Sequence, residues 1–427
     1  MPTATTNASG GVAKRHILVA LCFLAAFICY IDRVNISVAI IPMAEQFGWS
    51  ATTKGLVLSS FFIGYLLAML PSGWAANRWG GKTLLGLALL GWSLFTFLTP
   101  VAALTSFAAL IATRILMGMG EAATFPAIFN LYARWLPKAE RTRGVVLAYA
   151  GIPLGTVFAL STTGILVEHY GWESVFHVFG GAGLVFAVVW FIFIHGSPAK
   201  HPRIAPAERE LLADCISDEG PRVAIPWVQL LRHKAVWALI INHFTSNWLL
   251  YLALAWLPSY FRDAQGMNVT NAGLFAVGPW LAYFAAGNIA AWFADRAIKH
   301  GTSITRVRKV AQVSSMLVSA GFLLLASQAT TPATALATLC LALAALGVSG
   351  SGFGGNHLDI APQHADILFG MSNIGGTIPG IIGVYATGLL LDLTGTYAAT
   401  FALTAGINVF GAVVWYFWSS GEPILDD

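Results

Sequence analysis

Long apolar runs alternate with short polar segments along this chain of 427 residues. Each run has about 20 residues or more, the length that an α-helix needs to cross the roughly 30 Å hydrocarbon core of a bilayer. Strands of a membrane barrel would instead alternate in polarity over about 10 residues, and these runs do not alternate. The pattern therefore predicts an all-α membrane protein with twelve spanning helices. They lie at roughly 16–40, 53–76, 83–102, 105–131, 143–167, 174–195, 235–261, 271–297, 307–327, 333–356, 367–391 and 397–418.

The composition agrees with this pattern. Hydrophobic residues make up 57% of the chain and charged residues only 10%, whereas about 25% of the residues in soluble domains are charged. This deficit excludes an ordinary soluble domain and indicates that the lipid bilayer surrounds the protein. The first apolar run is too long for a cleaved signal peptide, so we expect it to be the first span.

A single long polar stretch, residues 196–233, divides the apolar runs into two groups of six. The chain is therefore predicted to have an N-terminal six-helix half at 1–195, a linker at 196–233 and a C-terminal six-helix half at 234–427. Within the linker, Pro206–Ser217 is expected to be either a short helix on the membrane surface or a plain tether.

The positions of the basic residues predict the orientation. If the N-terminus is cytoplasmic, the cytoplasmic segments hold 19 of the 23 Lys and Arg residues, which is the bias expected of loops on that side of a membrane. Both termini are then cytoplasmic. The net charge of +4 is distributed over short loops, so it is no argument for nucleic-acid binding.

A short motif recurs after the second and the eighth predicted helices. The first copy is Gly73–Lys82 (GWAANRWGGK), and the second begins at Asp295. It resembles the GxxxDRxGxK loop motif of the major facilitator superfamily, whose members consist of two six-helix halves. The resemblance implies the major facilitator fold and a gating role for Asn77, Arg78, Asp295 and Arg296. Since Asn77 stands where the family usually has Asp, it can cap a helix but brings no charge.

A second signature narrows the resemblance. The segment Gly350–Pro362 (GSGFGGNHLDIAP) resembles the NHLDIAP signature of the anion:cation symporter branch, and Asp32–Ile40, Gly118–Pro126 and Asn247–Pro258 also match. That branch includes sialin, the vesicular glutamate transporters, plastid phosphate transporters and bacterial sugar-acid symporters. The short segment between the first two helices favours a bacterial or plastid member.

Four ionisable residues, Asp32, Arg33, Arg114 and Glu121, lie inside predicted spans. A charge at that depth costs at least a few kcal/mol and usually marks a substrate or proton pathway. Arg114 and Glu121 are seven residues apart, so they share one face of their helix about 10 Å apart along its axis. Two acids and two bases can neutralise one another, so static ion pairs that only join helices are the alternative to a functional site.

The chemistry of these side chains suits the exchange of a proton for a bound anion. A guanidinium can hold two carboxylate oxygens and stays charged. In a carboxylic acid, burial favours the protonated form and a nearby guanidinium favours the ionised form. The resemblance to the bacterial sugar-acid symporters implies that Asp32 and Glu121 bind protons and that Arg33 and Arg114 bind substrate.

Several polar residues in other spans are candidate substrate contacts. The resemblance implies this role for Tyr65, for which packing is an equal alternative. Asn247 and Tyr251 are one turn apart, and Ser372 and Asn373 interrupt an apolar run. These four could instead form hydrogen bonds between helices. We expect His357 of the signature to have a structural or gating role rather than to relay protons.

We therefore expect a proton-coupled symporter of a small organic anion such as a sugar acid, working by alternating access. The alternatives are a sodium-coupled phosphate or organic-anion transporter and, in a different class, a membrane receptor that transports nothing. The sequence offers no nucleotide-binding loop, nucleophile–base pair or metal-ligand cluster, so we expect no enzyme, no cofactor and no metal. A monomer in a bacterial inner membrane is the expected form.

Overall fold

Twelve membrane-length helices form the fold. The computed structural model describes residues 13–216 and 226–425, apart from the side chains of Asp214 and Ile216. Within that part, twelve helices are long and apolar enough to cross a membrane, which confirms the predicted number. They are α1 (Lys14–Phe47), α2 (Ala51–Trp79), α3 (Gly81–Thr105), α4 (Phe107–Trp135), α5 (Lys138–Tyr170), α6 (Trp172–Phe193), α7 (Lys234–Asp263), α8 (Val269–Lys299), α9 (Ile304–Ala326), α10 (Pro332–Ile360), α11 (Pro362–Thr394) and α12 (Ala398–Trp418).

Three of these helices are not regular throughout. α4 consists of Phe107–Glu121 and Thr124–Trp135. α10 consists of Pro332–Ser349, a π-helical turn at Gly350–Gly354, and Gly355–Ile360. α11 starts with a 3-10 turn at Pro362–His364 and continues as Ala365–Thr394. A π-helical turn inside a helix often marks a functional position.

The break in α4 lies next to a proline. Pro126 has no N–H to donate to the carbonyl group of Ala122, the residue four positions before it. The Ser72 hydroxyl of α2 lies 3.2 Å from that carbonyl oxygen and can donate to it instead. The same hydroxyl also lies 2.8 Å from the carbonyl oxygen of Met69, so its single proton is shared between the two acceptors. The break falls directly after Glu121.

The linker contains short helices. They are Pro206–Leu211 and Trp227–Arg232, with 3-10 turns at Pro198–Lys200 and Ala213–Ile216. The predicted surface helix at 206–217 is therefore helical at its start, while Ser217 lies outside the described residues. Glu208 accepts hydrogen bonds of 3.0 Å from the backbone N–H groups of Lys14 and Arg15, so this helix caps the start of α1.

The chain divides into two compact units. Unit 1 holds the chain up to Arg33, Leu67–Gly155, and the chain from Phe176 into the linker. Unit 2 holds Val34–Leu66, Thr156–Val175, and the chain after the linker. The boundaries fall inside α1, α2, α5 and α6, and within the linker.

Glycines allow close helix packing within each unit. In unit 1, a Cβ atom at Gly151 of α5 would lie 2.8 Å from backbone atoms of Phe23 and Phe27 in α1. In unit 2, a Cβ atom at Gly376 of α11 would overlap the ring of His243, and one at Gly380 would overlap the ring of Phe62. These helices can approach so closely because glycine has no side chain.

Candidate functional site

The four charged residues predicted from the sequence lie in unit 1 and are buried. Asp32 and Arg33 lie on α1, and Arg114 and Glu121 lie on α4. Their exposed fractions are 0%, 8%, 1% and 1% in that order. Buried charges are tolerated only when other charges or hydrogen bonds compensate them. The contacts of each residue therefore decide what the cluster can do.

Arg33 and Glu121 form a buried ion pair. Arg33 Nη2 lies 2.9 Å and Nε 3.0 Å from the same carboxylate oxygen, Oε2. The Tyr30 ring lies 4.7 Å from the guanidinium carbon, a cation–π distance, and its hydroxyl is 3.4 Å from Nη1. The other oxygen of Glu121, Oε1, accepts no hydrogen bond from any described residue. The ion pair thus involves only one of the two carboxylate oxygens of Glu121.

Cys29 also contacts this carboxylate, and the sequence did not suggest it. Its Sγ lies 3.3 Å from Glu121 Oε2, and the Thr124 hydroxyl lies 3.8 Å from the same sulfur. Cys29 stands one helical turn before Arg33, so both side chains project from the same face of α1. That spacing is the signal that could have identified it.

Arg114 and Asp32 complete the cluster. Arg114 interacts electrostatically with Glu121 and with Asp32, and its Nη1 lies 3.2 Å from the sulfur of Met117. Neither oxygen of Asp32 accepts a hydrogen bond of normal length from a described residue. The indole N–H of Trp92 is a potential donor to this carboxyl group but lies outside normal hydrogen-bond distance. Asp32 is therefore the least compensated acid of the cluster.

The remaining candidate substrate contacts belong to unit 2. Tyr65 packs at 6.0 Å against Phe61, and Tyr251 packs at 4.5 Å against Phe62, both measured between ring centroids. Asn247 donates a hydrogen bond of 2.8 Å to the carbonyl of Gly376, so part of its amide joins α7 to α11. A substrate role for these residues stays a prediction.

Ser372 is fully buried and lies between two histidines. Its hydroxyl is 3.1 Å from His243 Nδ1 and 2.8 Å from His357 Nε2. His357 Nδ1 is also 3.2 Å from the carbonyl of Gly354 in the π-helical turn. These contacts link α7, α10 and α11, which fits the structural role expected for His357. The neighbouring Asn373 is half-buried.

The two loop motifs make different contacts. In unit 1, Asn77 accepts a hydrogen bond of 3.4 Å from Asn130, whose own amide oxygen accepts one of 2.8 Å from the backbone N–H of Gly81. The helix start at Gly81 is thus capped by Asn130 rather than by Asn77. Arg78 is exposed and lies over the ring of Trp74.

In unit 2, Asp295 is exposed and Arg296 lies over the ring of Trp292. An ion pair in the same unit joins Arg308 of α9 to Asp359 of the NHLDIAP segment. Its two nitrogen–oxygen distances are 2.7 and 3.3 Å. Arg308 also donates to the carbonyl of Ser351, so it holds the π-helical turn as well.

Known proteins resemble the chain over nearly its whole length. The model of the Major Facilitator Superfamily matches residues 22–384. The chain is 38% identical to the sodium-dependent phosphate transport protein 1, chloroplastic, of Arabidopsis thaliana, covering 97% of this chain and 80% of that protein. It is also 38% identical to the ascorbate transporter, chloroplastic, of the same plant, with coverage of 97% and 76%. Human sialin is 34% identical, with coverage of 96% and 90%.

A solved structure has a similar fold. The crystal structure of a bacterial homologue of the human lysosomal transporter Spinster aligns with a TM-score of 0.78 at 15% sequence identity. The alignment covers 95% of this chain and 97% of that one. At this identity the similarity concerns the fold alone.

Proposed function

Since the chain belongs to the major facilitator superfamily, we propose that it is a proton-coupled symporter that carries a small organic anion across the membrane by alternating access. The family consists of membrane transporters, and its relatives here include proteins named for the transport of phosphate and ascorbate. Both of those solutes are anions. Proton coupling and an organic acid as substrate are the finer parts of the proposal.

The buried ion pair between Arg33 and Glu121 is the observation that carries the proposal. Two nitrogens of Arg33 contact one oxygen of Glu121, within 3.0 Å. The Nε–Nη2 edge of the guanidinium is thus engaged by Glu121, and the same edge is one that a substrate carboxylate would bind in a fork geometry. An acid and a substrate carboxylate that compete for one guanidinium give a direct route to coupling.

The proposed cycle follows from this competition. When Glu121 takes up a proton, it loses most of its attraction for Arg33, and the guanidinium becomes available to the carboxylate of the substrate. Asp32, which is buried and accepts no hydrogen bond of normal length, is the second acid that we propose to bind a proton. After the binding site turns to the other side of the membrane, loss of the proton restores the Glu121–Arg33 pair and releases the substrate. Arg114, which interacts electrostatically with both acids, is the second guanidinium that we propose to bind the substrate.

Glu121→Gln tests the proposal. The amide cannot exchange a proton, so we expect proton-driven accumulation in proteoliposomes to fall to background while substrate counterflow persists. The matched control is Glu210→Gln, because Glu210 is an exposed acid of the linker. Normal accumulation by Glu121→Gln would overturn the proposal.

Two other functions predict different results in the same vesicles. A sodium-coupled transporter, which the name of the sodium-dependent phosphate relative favours, would accumulate substrate under an imposed sodium gradient and ignore a proton gradient. A receptor without transport activity would give no flux under either gradient. Imposing each gradient in turn therefore separates the three functions.

The substrate and the membrane belong to the proposal too. We propose a sugar acid or a related carboxylate as the substrate, because the ascorbate relative is named for an organic acid. We also propose that the protein works as a monomer. A bacterial inner membrane gains no support from the two relatives named as chloroplastic. Measuring how much each member of a panel of carboxylates raises the thermal unfolding midpoint of the purified protein would identify the substrate class.

A further inference from the structure

Unit 1 contains a cavity that the proposed transport cycle does not use. It has a volume of about 290 Å³ and lies where the start of α1 meets the end of α6 and the first residues of the linker. Pockets for drug-sized ligands usually exceed about 300 Å³, so this one suits a small group. Its position at the ends of two spanning helices places it at the membrane surface, on the side predicted to be cytoplasmic.

Part of the cavity lining is basic. Lys14, His195, His201 and Arg203 line it. Among the described residues, neither Lys14 nor Arg203 takes part in a salt bridge, whereas Arg15 is paired with both Glu140 and Glu208. Glu208 is an acid that interacts electrostatically with His201. It already accepts hydrogen bonds from two backbone N–H groups and from the Arg15 side chain. The cavity therefore has a net positive charge.

The two histidines add polar groups that a ligand can use. His201 is 92% buried, since its exposed fraction is 8%, and its Nδ1 accepts a hydrogen bond of 3.1 Å from the backbone N–H of Arg203. A neutral ring that accepts at Nδ1 carries its proton on Nε2 and can donate from there. Burial, helped by His195 and Lys14, lowers the pKa of His201, so the ring is neutral at pH 7. His195 Nδ1 is buried and bonds to no described residue.

Other residues of the lining are apolar, and two of them are exposed. Ile192 and Phe193, the last residues of α6, line the cavity and are 62% and 56% exposed. Side chains at the end of a spanning helix meet lipid chains and the glycerol region of the bilayer. A soluble anion would contact only the basic residues, while a lipid would also contact the exposed apolar ones.

We propose that this cavity binds the headgroup of an anionic phospholipid, with its phosphate against Lys14, His201 and Arg203 and its acyl chains along Ile192 and Phe193. Basic pockets between spanning helices on the cytoplasmic side are suited to anionic headgroups. The bound lipid would fasten the linker to the start of α1, next to the cap that Glu208 provides. The site is separate from the buried charged cluster and does not depend on the transported solute.

Lipid titration of the purified full-length chain in detergent tests the site. We expect phosphatidylglycerol, but not phosphatidylcholine, to bind in native mass spectrometry and to raise the thermal unfolding midpoint. The double variant Lys14→Gln/Arg203→Gln should bind phosphatidylglycerol roughly 30-fold more weakly, from about 1 kcal/mol for each basic residue. The matched control Lys234→Gln/Lys299→Gln removes two exposed basic residues at other helix ends and should bind like the wild type.

Each other outcome would overturn the assignment. Equal binding of phosphatidylcholine would show that charge has no role, and equal loss in the control variant would show that the charge acts without a site. Competition by inorganic phosphate alone, at concentrations comparable to the lipid, would show a site for a soluble anion. An unchanged unfolding midpoint of the lipid-free double variant shows that it is folded, so weaker binding by it can be attributed to the cavity.

Discussion

Arg33 makes contacts that a simple positive charge would not need. It reaches Glu121 through two nitrogens, lies over the Tyr30 ring at 4.7 Å, and has its third nitrogen 3.4 Å from the Tyr30 hydroxyl. The plane of the guanidinium is thus fixed by an acid at one edge and an aromatic ring on one face. A fixed plane is what bidentate recognition of a carboxylate requires.

Arg33→Lys separates the shape of this group from its charge. The ammonium still neutralises Glu121, so the protein should fold normally, but it cannot offer a planar fork to the substrate. We expect the KM for a carboxylate substrate to rise about tenfold to a hundredfold, the range of a lost hydrogen bond between charged groups. Uptake at varied substrate concentration measures this.

The control for that experiment is Arg232→Lys, at an exposed position before α7. Its KM should equal that of the wild type. An unchanged KM in Arg33→Lys would mean that substrate recognition relies on charge alone or on other residues.

The sequence identifies the charged members of the cluster but not their neutral neighbours. A charge within an apolar run is visible locally, which is why Asp32, Arg33, Arg114 and Glu121 could be singled out. Cys29 and Trp92 are themselves apolar enough to look like packing residues. Their role depends on contacts between α1, α3 and α4, and a single sequence does not specify which helix faces meet.

The positions of helix breaks are also hard to predict from the sequence. The apolar pattern predicts one continuous helix at 105–131, whereas α4 breaks after Glu121. Pro126 alone could not have predicted the break, because Pro42 and Pro100 lie inside helices that run on without interruption. At the break in α4, the Ser72 hydroxyl of α2 lies 3.2 Å from the carbonyl oxygen of Ala122 that Pro126 leaves without its helical donor. That partner comes from another helix, about 50 residues away in the chain.

The glycines of the loop motif between α2 and α3 are constrained to different degrees. A Cβ atom at Gly81 would overlap the backbone carbonyl oxygen of Ala127, which cannot easily move. A Cβ atom at Gly73, inside α2, would meet nothing within 4 Å. Gly80 between them has a φ of +80°, a conformation that residues with a side chain rarely adopt.

We therefore expect opposite effects from two alanine substitutions in this motif. Gly81→Ala should destabilise the protein by about 1–3 kcal/mol through overpacking. Gly73→Ala should be neutral or stabilise it by up to about 1 kcal/mol, because alanine favours a helix interior. Thermal unfolding of both variants in the same detergent measures the difference. Equal midpoints would contradict the close contact between Gly81 and α4.

At the scale of the whole molecule, contacts within unit 2 cross the predicted division into halves. Asp392 of α11 accepts hydrogen bonds of 2.9 and 2.8 Å from the backbone N–H groups of Ala51 and Thr52 at the start of α2. Lys54 lies 3.4 Å from Asp263 at the end of α7. The sequence predicted halves at 1–195 and 234–427 from the position of the linker. That prediction groups residues by their order along the chain. These contacts instead join residues more than 200 positions apart, which the sequence order does not reveal.

Alternating access requires these contacts to break and re-form in each cycle. They join the ends of α2, α7 and α11 that the predicted topology places on the non-cytoplasmic side. α2 and α11 also touch directly, because a Cβ atom at Gly388 would overlap the carbonyl oxygen of Ala51. A side chain at Gly388 would therefore penalise only the arrangement in which these two helices are in contact.

Gly388→Ala should consequently favour the arrangement in which α2 and α11 are separated. An overpacking cost of about 1–3 kcal/mol in one state alone shifts the population at least about fivefold. In a Lys54→Cys background, we expect a membrane-impermeant maleimide to label position 54 at least about five times faster after Gly388→Ala. Gly370→Ala in the same helix is the control, because a Cβ atom there meets nothing within 4 Å. Equal labelling rates in the two variants would mean that these helices do not separate when the transporter opens, and the alternating-access cycle would then need a different gate.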